Sequence, residues 1–191
     1  MKSSTATNSA SVELRVFNFC LLLDEIIAPP ANDNVKRPPD CDLKSLSHDI
    51  LTYFGLGCRN VSKLYVPRNY NFDSFFNSIF SYKELINNHK YANNYDYNKA
   101  IYLMSEYKFL DNGFFIVKEG KEMHTPISTI NYEYYDNISL LREKINQQED
   151  KIQCIVSNIE FEGKVDFGET QNPSLNQYAD NIDVMNFLLT I

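Results

Sequence analysis

The chain has 191 residues, 43% of them hydrophobic and 14% aromatic, which suits one globular domain with a sizeable core. A net charge of −7, with no run of more than two adjacent cations, argues against nucleic acid as a partner, since phosphates need concentrated positive charge. Cysteines at 20, 41, 58 and 154 form no Cys-x-x-Cys pair, and no histidine lies at ligand spacing from them. That speaks against a metal centre or a disulfide framework and for a reducing, cytoplasmic setting. No apolar run is long enough for a transmembrane segment, because Asp24 and Glu25 interrupt the greasiest stretch, 17–28.

Residues 1–10 are mostly Ser, Thr, Asn and Ala and read as a disordered start. The stretch 12–27 fits a helix, or a strand followed by a helix. Two Pro-Pro pairs bracket the polar segment up to residue 39, the most linker-like part of the chain. The domain division expected is therefore a separate segment over 1–39 and a folded unit over 40–191.

Asp40 or Asp42 can cap a helix with Leu43, Leu46, Ile50 and Phe54 on its apolar face. Asn71 can cap a second, whose stripe is Phe72, Phe75, Phe76, Ile79, Phe80 and Leu85; that stripe reads as plain core or as a pocket for an acyl chain. A third is expected from Asn94 or Asp96, carrying Tyr97, Ala100, Ile101 and Met104. Asp111-Asn112-Gly113 is a turn signal. Beyond it, strands are expected at 114–117, 127–132 and 152–157, a helix at 139–148, and a hairpin or short β excursion at 161–165. Strands alternating with helices predict an α/β fold.

Between the first helix and a strand at 64–66 lies Tyr53-Phe54-Gly55-Leu56-Gly57-Cys58-Arg59-Asn60-Val61-Ser62-Lys63. Two glycines allow a sharp turn, which would place Cys58 off any regular face. Arg59 and Lys63 put cations within reach, which would favour a thiolate. One reading is a nucleophile for a carbonyl carbon; the other is a buried cysteine behind a helix-ending glycine. His48, His89 and His124 read as structural or loop histidines.

The cysteine loop from Phe54 to Lys63, with Leu64-Tyr65-Val66-Pro67 behind it, resembles that of the LuxC-type fatty acyl-CoA reductases, relatives of the aldehyde dehydrogenases. Asp40-Cys41-Asp42-Leu43 ahead of it and Phe167-Gly168-Glu169-Thr170-Gln171 near the end are similar too. The resemblance implies an aldehyde dehydrogenase-like catalytic domain of three layers, α/β/α, lacking the N-terminal cofactor-binding domain. It also implies an NADPH-dependent reduction of long-chain acyl-CoA to fatty aldehyde through a thioester on Cys58. Donors for the oxyanion would be the Cys58 N–H and Asn60; in the aldehyde dehydrogenases the partner asparagine comes from the N-terminal half. Glu122, in Glu122-Met123-His124-Thr125-Pro126, matches the spacing of the superfamily's Glu-x-Phe-Gly-Pro element and would orient the nicotinamide ribose.

No Gly-x-Gly-x-x-Gly is present for the cofactor's pyrophosphate. The expectation is a catalytic piece that is inactive alone, working as a homo-oligomer or with an N-terminal reductase half. A cysteine acyltransferase or thioesterase, and a non-catalytic interaction module, are the other readings.

Overall fold

The computed structural model describes residues 40–148, 151–157, 161, 163–175, 177–178 and 182–190. The expectations for 1–39 lie outside them. Helix α1, Asp40–Leu51, buries Leu43, Leu46 and Ile50, whose spacing of three and four puts them on one face. Each such burial contributes about 1.5–3 kcal/mol. Phe54 does not continue that face. The helix stops at Leu51, and Tyr53, Phe54 and Gly55 then all take left-handed backbone, with φ of 55°, 62° and 75°. Phe54 is thereby turned out to the surface, its ring 6.3 Å from that of Tyr91.

Helix α2, Asp73–Ile79, begins where the Asn71 side chain accepts the Asp73 N–H. Phe75 and Ile79 are fully buried, so the aromatic stripe is core. Phe80 is the exception: the chain tightens into a 3-10 turn over Phe80–Asn87, and the shorter period swings its ring to solvent. Helix α3, His89–Met104, starts earlier than expected because Asn88 caps it, accepting from the N–H groups of Lys90 and Tyr91. Its buried face is Tyr91, Tyr95, Asn98 and Tyr102, while Tyr97 and Met104 are exposed. Two of those buried groups are polar and satisfied: the Tyr95 hydroxyl donates to Asp111 Oδ1 at 2.6 Å, and Asn98 Nδ2 donates to the Ile127 carbonyl at 3.0 Å.

Strand β1, Lys63–Pro67, opens the sheet. After β2, Phe109–Asp111, a turn with Gly113 at φ 94° leads to β3, Ile116–Glu119. Strand β4 is Thr129–Tyr135, and helix α4, Ile138–Asn146, follows it, capped by Asn137. The order is β1-β4-β3-β2. Three strands run parallel, with Lys63 opposite Asn131 and Lys118 also opposite Asn131; β2 is antiparallel. The fold is thus mixed α/β with a mainly parallel sheet. Alternation along the strands sorts the side chains. Leu64, Val66, Val117 and Ile130 pack with α1 and α2, whereas Tyr65 packs with Leu141 and Ile145 of α4.

Two short strands, β5 (Ile155–Val156) and β6 (Lys164–Val165), pair in parallel. That sets aside the hairpin expected at 161–165, because parallel partners need a crossover and not a tight turn, and leaves the other expectation there, a short β excursion, in β6. Helix α5, Val184–Leu189, leaves Met185, Phe187 and Leu188 exposed. Among the described residues, no helix is long and apolar enough to cross a membrane, and no cluster of His, Cys, Asp or Glu could hold a metal ion.

Candidate active site around Cys58

Cys58 sits in the turn between α1 and β1 and is exposed. The turn is shaped from both sides. On the α1 side, three consecutive left-handed residues reverse the chain. Left-handed backbone in Tyr and Phe costs about 1–3 kcal/mol per residue and persists only where surroundings enforce it. On the β1 side, Asn60 does the enforcing.

The Asn60 side chain is buried, and its Nδ2 donates to the carbonyls of Asp49, Ile50 and Thr52, at 2.7, 3.2 and 3.0 Å. These are carbonyls left open where α1 ends. Its Oδ1 accepts the Gly57 N–H at 2.6 Å. An amide nitrogen has only two hydrogens, so none remains for a substrate. Asn60 is therefore a brace for the cysteine turn, which corrects its expected role as an oxyanion donor.

Gly57 is needed for the same reason. A Cβ there would lie 2.5 Å from Asn60 Oδ1, which is locked by its hydrogen bonds and cannot give way cheaply. Gly57→Ala should lower stability by about 1–3 kcal/mol, read as a shift of the urea midpoint without a change of slope.

The two cations expected to face the thiol are committed elsewhere. Arg59 is buried, its Nε donating to the Thr170 carbonyl at 2.7 Å and its Nη2 to Gln177 Oε1 at 3.3 Å. Lys63 is fully buried, and its Nζ donates to the Gly120 carbonyl at 2.6 Å and to Glu133 Oε2 at 3.1 Å. Burial pulls the Lys63 pKa below the usual lysine value, against the pull of Glu133. Lys144 is the second cation on Glu133. Burial pushes the Glu133 carboxyl up, but the bonds from Lys144 and Lys63 outweigh it and hold its pKa below the ordinary carboxylate value.

A second buried carboxylate ties the C-terminal region to the site. Asp49, on the last turn of α1, accepts from the Gly168 N–H at 2.7 Å, the Thr170 N–H at 3.2 Å and the Thr170 hydroxyl at 2.8 Å. Burial raises its pKa, and the three donors oppose that. Segment 168–171 is thus fixed against the cysteine turn, with the Gln171 amide lying over Gly57. Neither Asp49 nor Gln171 stood out in the sequence. The signal was there only as the Phe167-to-Gln171 motif, which carries no indication of where it packs.

No protein-family model matches the chain, and no curated protein does. A solved structure is similar: the P. syringae indole-3-acetaldehyde dehydrogenase, a cysteine-to-alanine mutant in complex with NAD+ and IAA. The TM-score is 0.45 at 10% identity, over 78% of this chain and 34% of that one. The chain spans about a third of that protein's length.

Glu122 lies in the connection from β3 to β4 and is exposed. The connection is held down at three points. Asn131 Nδ2 donates to the carbonyls of Glu122 and His124, at 2.9 and 3.2 Å, and Ser62 Oγ donates to that of Met123 at 2.7 Å. A backbone N–H of its own residue, more than Lys118 at 3.5 Å, holds the Glu122 pKa below the ordinary value. His124 is exposed in the same connection. Among the remaining sulfurs, Cys154 is buried, and burial pushes its thiol up to about 11. Cys20 and the Cys41 side chain lie outside the described residues.

Proposed function

We propose that Cys58 is an acyl-accepting nucleophile, and that this chain is the catalytic portion of an NADPH-dependent long-chain acyl-CoA reductase of the LuxC type. The observation that carries the reading is the exposed thiol on a braced, left-handed turn, directly ahead of the buried run from Arg59 to Lys63. Strained backbone concentrates where geometry must be held for chemistry. In the acylation step, a bond forms from Cys58 Sγ to the thioester carbonyl carbon. The bond from that carbon to the coenzyme A sulfur breaks, and coenzyme A leaves with the electron pair.

A nicotinamide, when bound, would supply the hydride that releases aldehyde. Glu122 suits its ribose: an exposed carboxylate held in the ionised form can accept from two hydroxyls. Asn131 Oδ1, buried and without a hydrogen-bond partner among the described residues, lies beside it near Gly120. No glycine-rich turn opening a helix appears among the described residues to take the pyrophosphate, so the reading includes a second domain or chain that brings one.

Myristoyl-CoA is the test. Incubation should leave one acyl group per chain, mapped by peptide mass to Cys58, stable in water, with no NADPH oxidation by the 191-residue chain alone. Rapid loss of the adduct to water would favour a thioesterase. An adduct on Cys154, or none, would remove the nucleophile assignment.

A further inference from the structure

The site as described lacks a side chain to receive the charge that develops on the substrate oxygen, since Asn60 is spent on the end of α1. Gln171 is in position to supply one. Its amide lies over Gly57, the residue before Cys58. A Cβ on that glycine would sit 3.2 Å from Gln171 Oε1 and 3.4 Å from Nε2. With no Cβ at Gly57, the amide packs closely on the backbone of the turn.

The Gln171 Nε2 atom is buried and donates to nothing among the described residues. Buried donors without an acceptor are few in folded chains, and each asks for an explanation. Here the backbone leading to it is fixed: Thr170 is fully buried and gripped by Asp49 and Arg59. The amide is thus held by a rigid segment with its donor unspent. No hydrogen bond engages the Cys58 N–H among the described residues either. Two unspent donors, one on Cys58 itself and one packed on the residue before it, are what a developing oxyanion needs.

We infer that Gln171 Nε2, together with the Cys58 N–H, donates to the carbonyl oxygen of the acyl group under attack. This rests on the nucleophile reading of Cys58 and adds the catalytic residue that reading lacked.

Alkylation and acylation separate the claims. Iodoacetamide attack by a thiolate builds no charge on a carbonyl oxygen, whereas attack on p-nitrophenyl acetate does. In the acetate reaction the Sγ–C bond forms, the bond to nitrophenolate breaks, and nitrophenolate leaves with the pair. The full chain, Gln171→Met and Gln171→Ala are compared; Met keeps the shape and removes the donor. The expected result is a nitrophenolate burst about 10²-fold slower in both variants, with Cys58 alkylation within about twofold of the parent rate. An unchanged burst overturns the inference. So does a parallel fall of burst and alkylation, the mark of a merely structural role. A parent chain that alkylates at Cys58 yet gives no burst overturns the acyl-transfer reading, and this inference with it.

Discussion

Cys58→Ala is expected to abolish the nitrophenolate burst and the acyl adduct, leaving only the background given by buffer. Its effect on stability should stay within about 0.5 kcal/mol, because the side chain is exposed. The paired control is Cys154→Ala. Cys154 is packed in the main core with Leu43, Val61 and Val156. With its thiol pushed up to about 11, only about one molecule in 10⁴ is ionised at pH 7, and the thiolate is the nucleophile. Cys154→Ala should therefore keep the burst and lose roughly 1 kcal/mol of stability. Burst amplitude titrated against chain concentration, alongside a thermal melt, reads both outcomes. If the two variants exchange behaviour, the nucleophile has been placed on the wrong sulfur.

The elements were legible wherever apolar side chains recur at one period. Leu43, Leu46 and Ile50 predicted α1, and 127–132 predicted most of β4. What was not legible depends on polar groups meeting across the chain. The inner face of α3 is built of tyrosines and an asparagine, and Tyr95 and Asn98 find their partners in Asp111 and the Ile127 carbonyl, far along the chain, so hydrophobicity alone pointed to the wrong side. Phe54 fitted the helical stripe by spacing, yet left-handed backbone in an aromatic residue has no signature in composition. Strand alternation does place Lys63 on the same side as Tyr65 and away from Leu64, but proximity to Cys58 in sequence suggested a role for its charge at the thiol. Asp49 meets Thr170 across 121 positions, and no local pattern announces such a pairing.

Glu133→Gln tests the electrostatics of the sheet that carries the cysteine turn, and its expected effect on stability is the largest. Glu133 is the only carboxylate hydrogen-bonded to the Lys63 ammonium among the described residues, and Lys63 has no exposure to water. Gln keeps the shape and removes the charge, which leaves a buried cation without its counter-ion. Breaking a buried pair in this way costs about 3–5 kcal/mol. The sign of the pH dependence follows. In the variant, Lys63 has a folded-state pKa depressed by burial and no longer lifted by Glu133. Below that value both folded and unfolded chains carry the proton, and the full penalty stands. As pH rises through it, the folded chain sheds the proton while the unfolded chain still binds one, so stability climbs. Thermal midpoints for Glu133→Gln should therefore recover as pH rises toward the ordinary lysine value. In the parent chain, the depressed Glu133 pKa contributes stability above the ordinary carboxylate range, and that part is lost as pH falls through the folded value. A variant as stable as the parent at pH 7, or one whose midpoint drops as pH rises toward 9, would mean that the Lys63 ammonium is not sealed beneath β4 and that β1 is anchored there by packing alone.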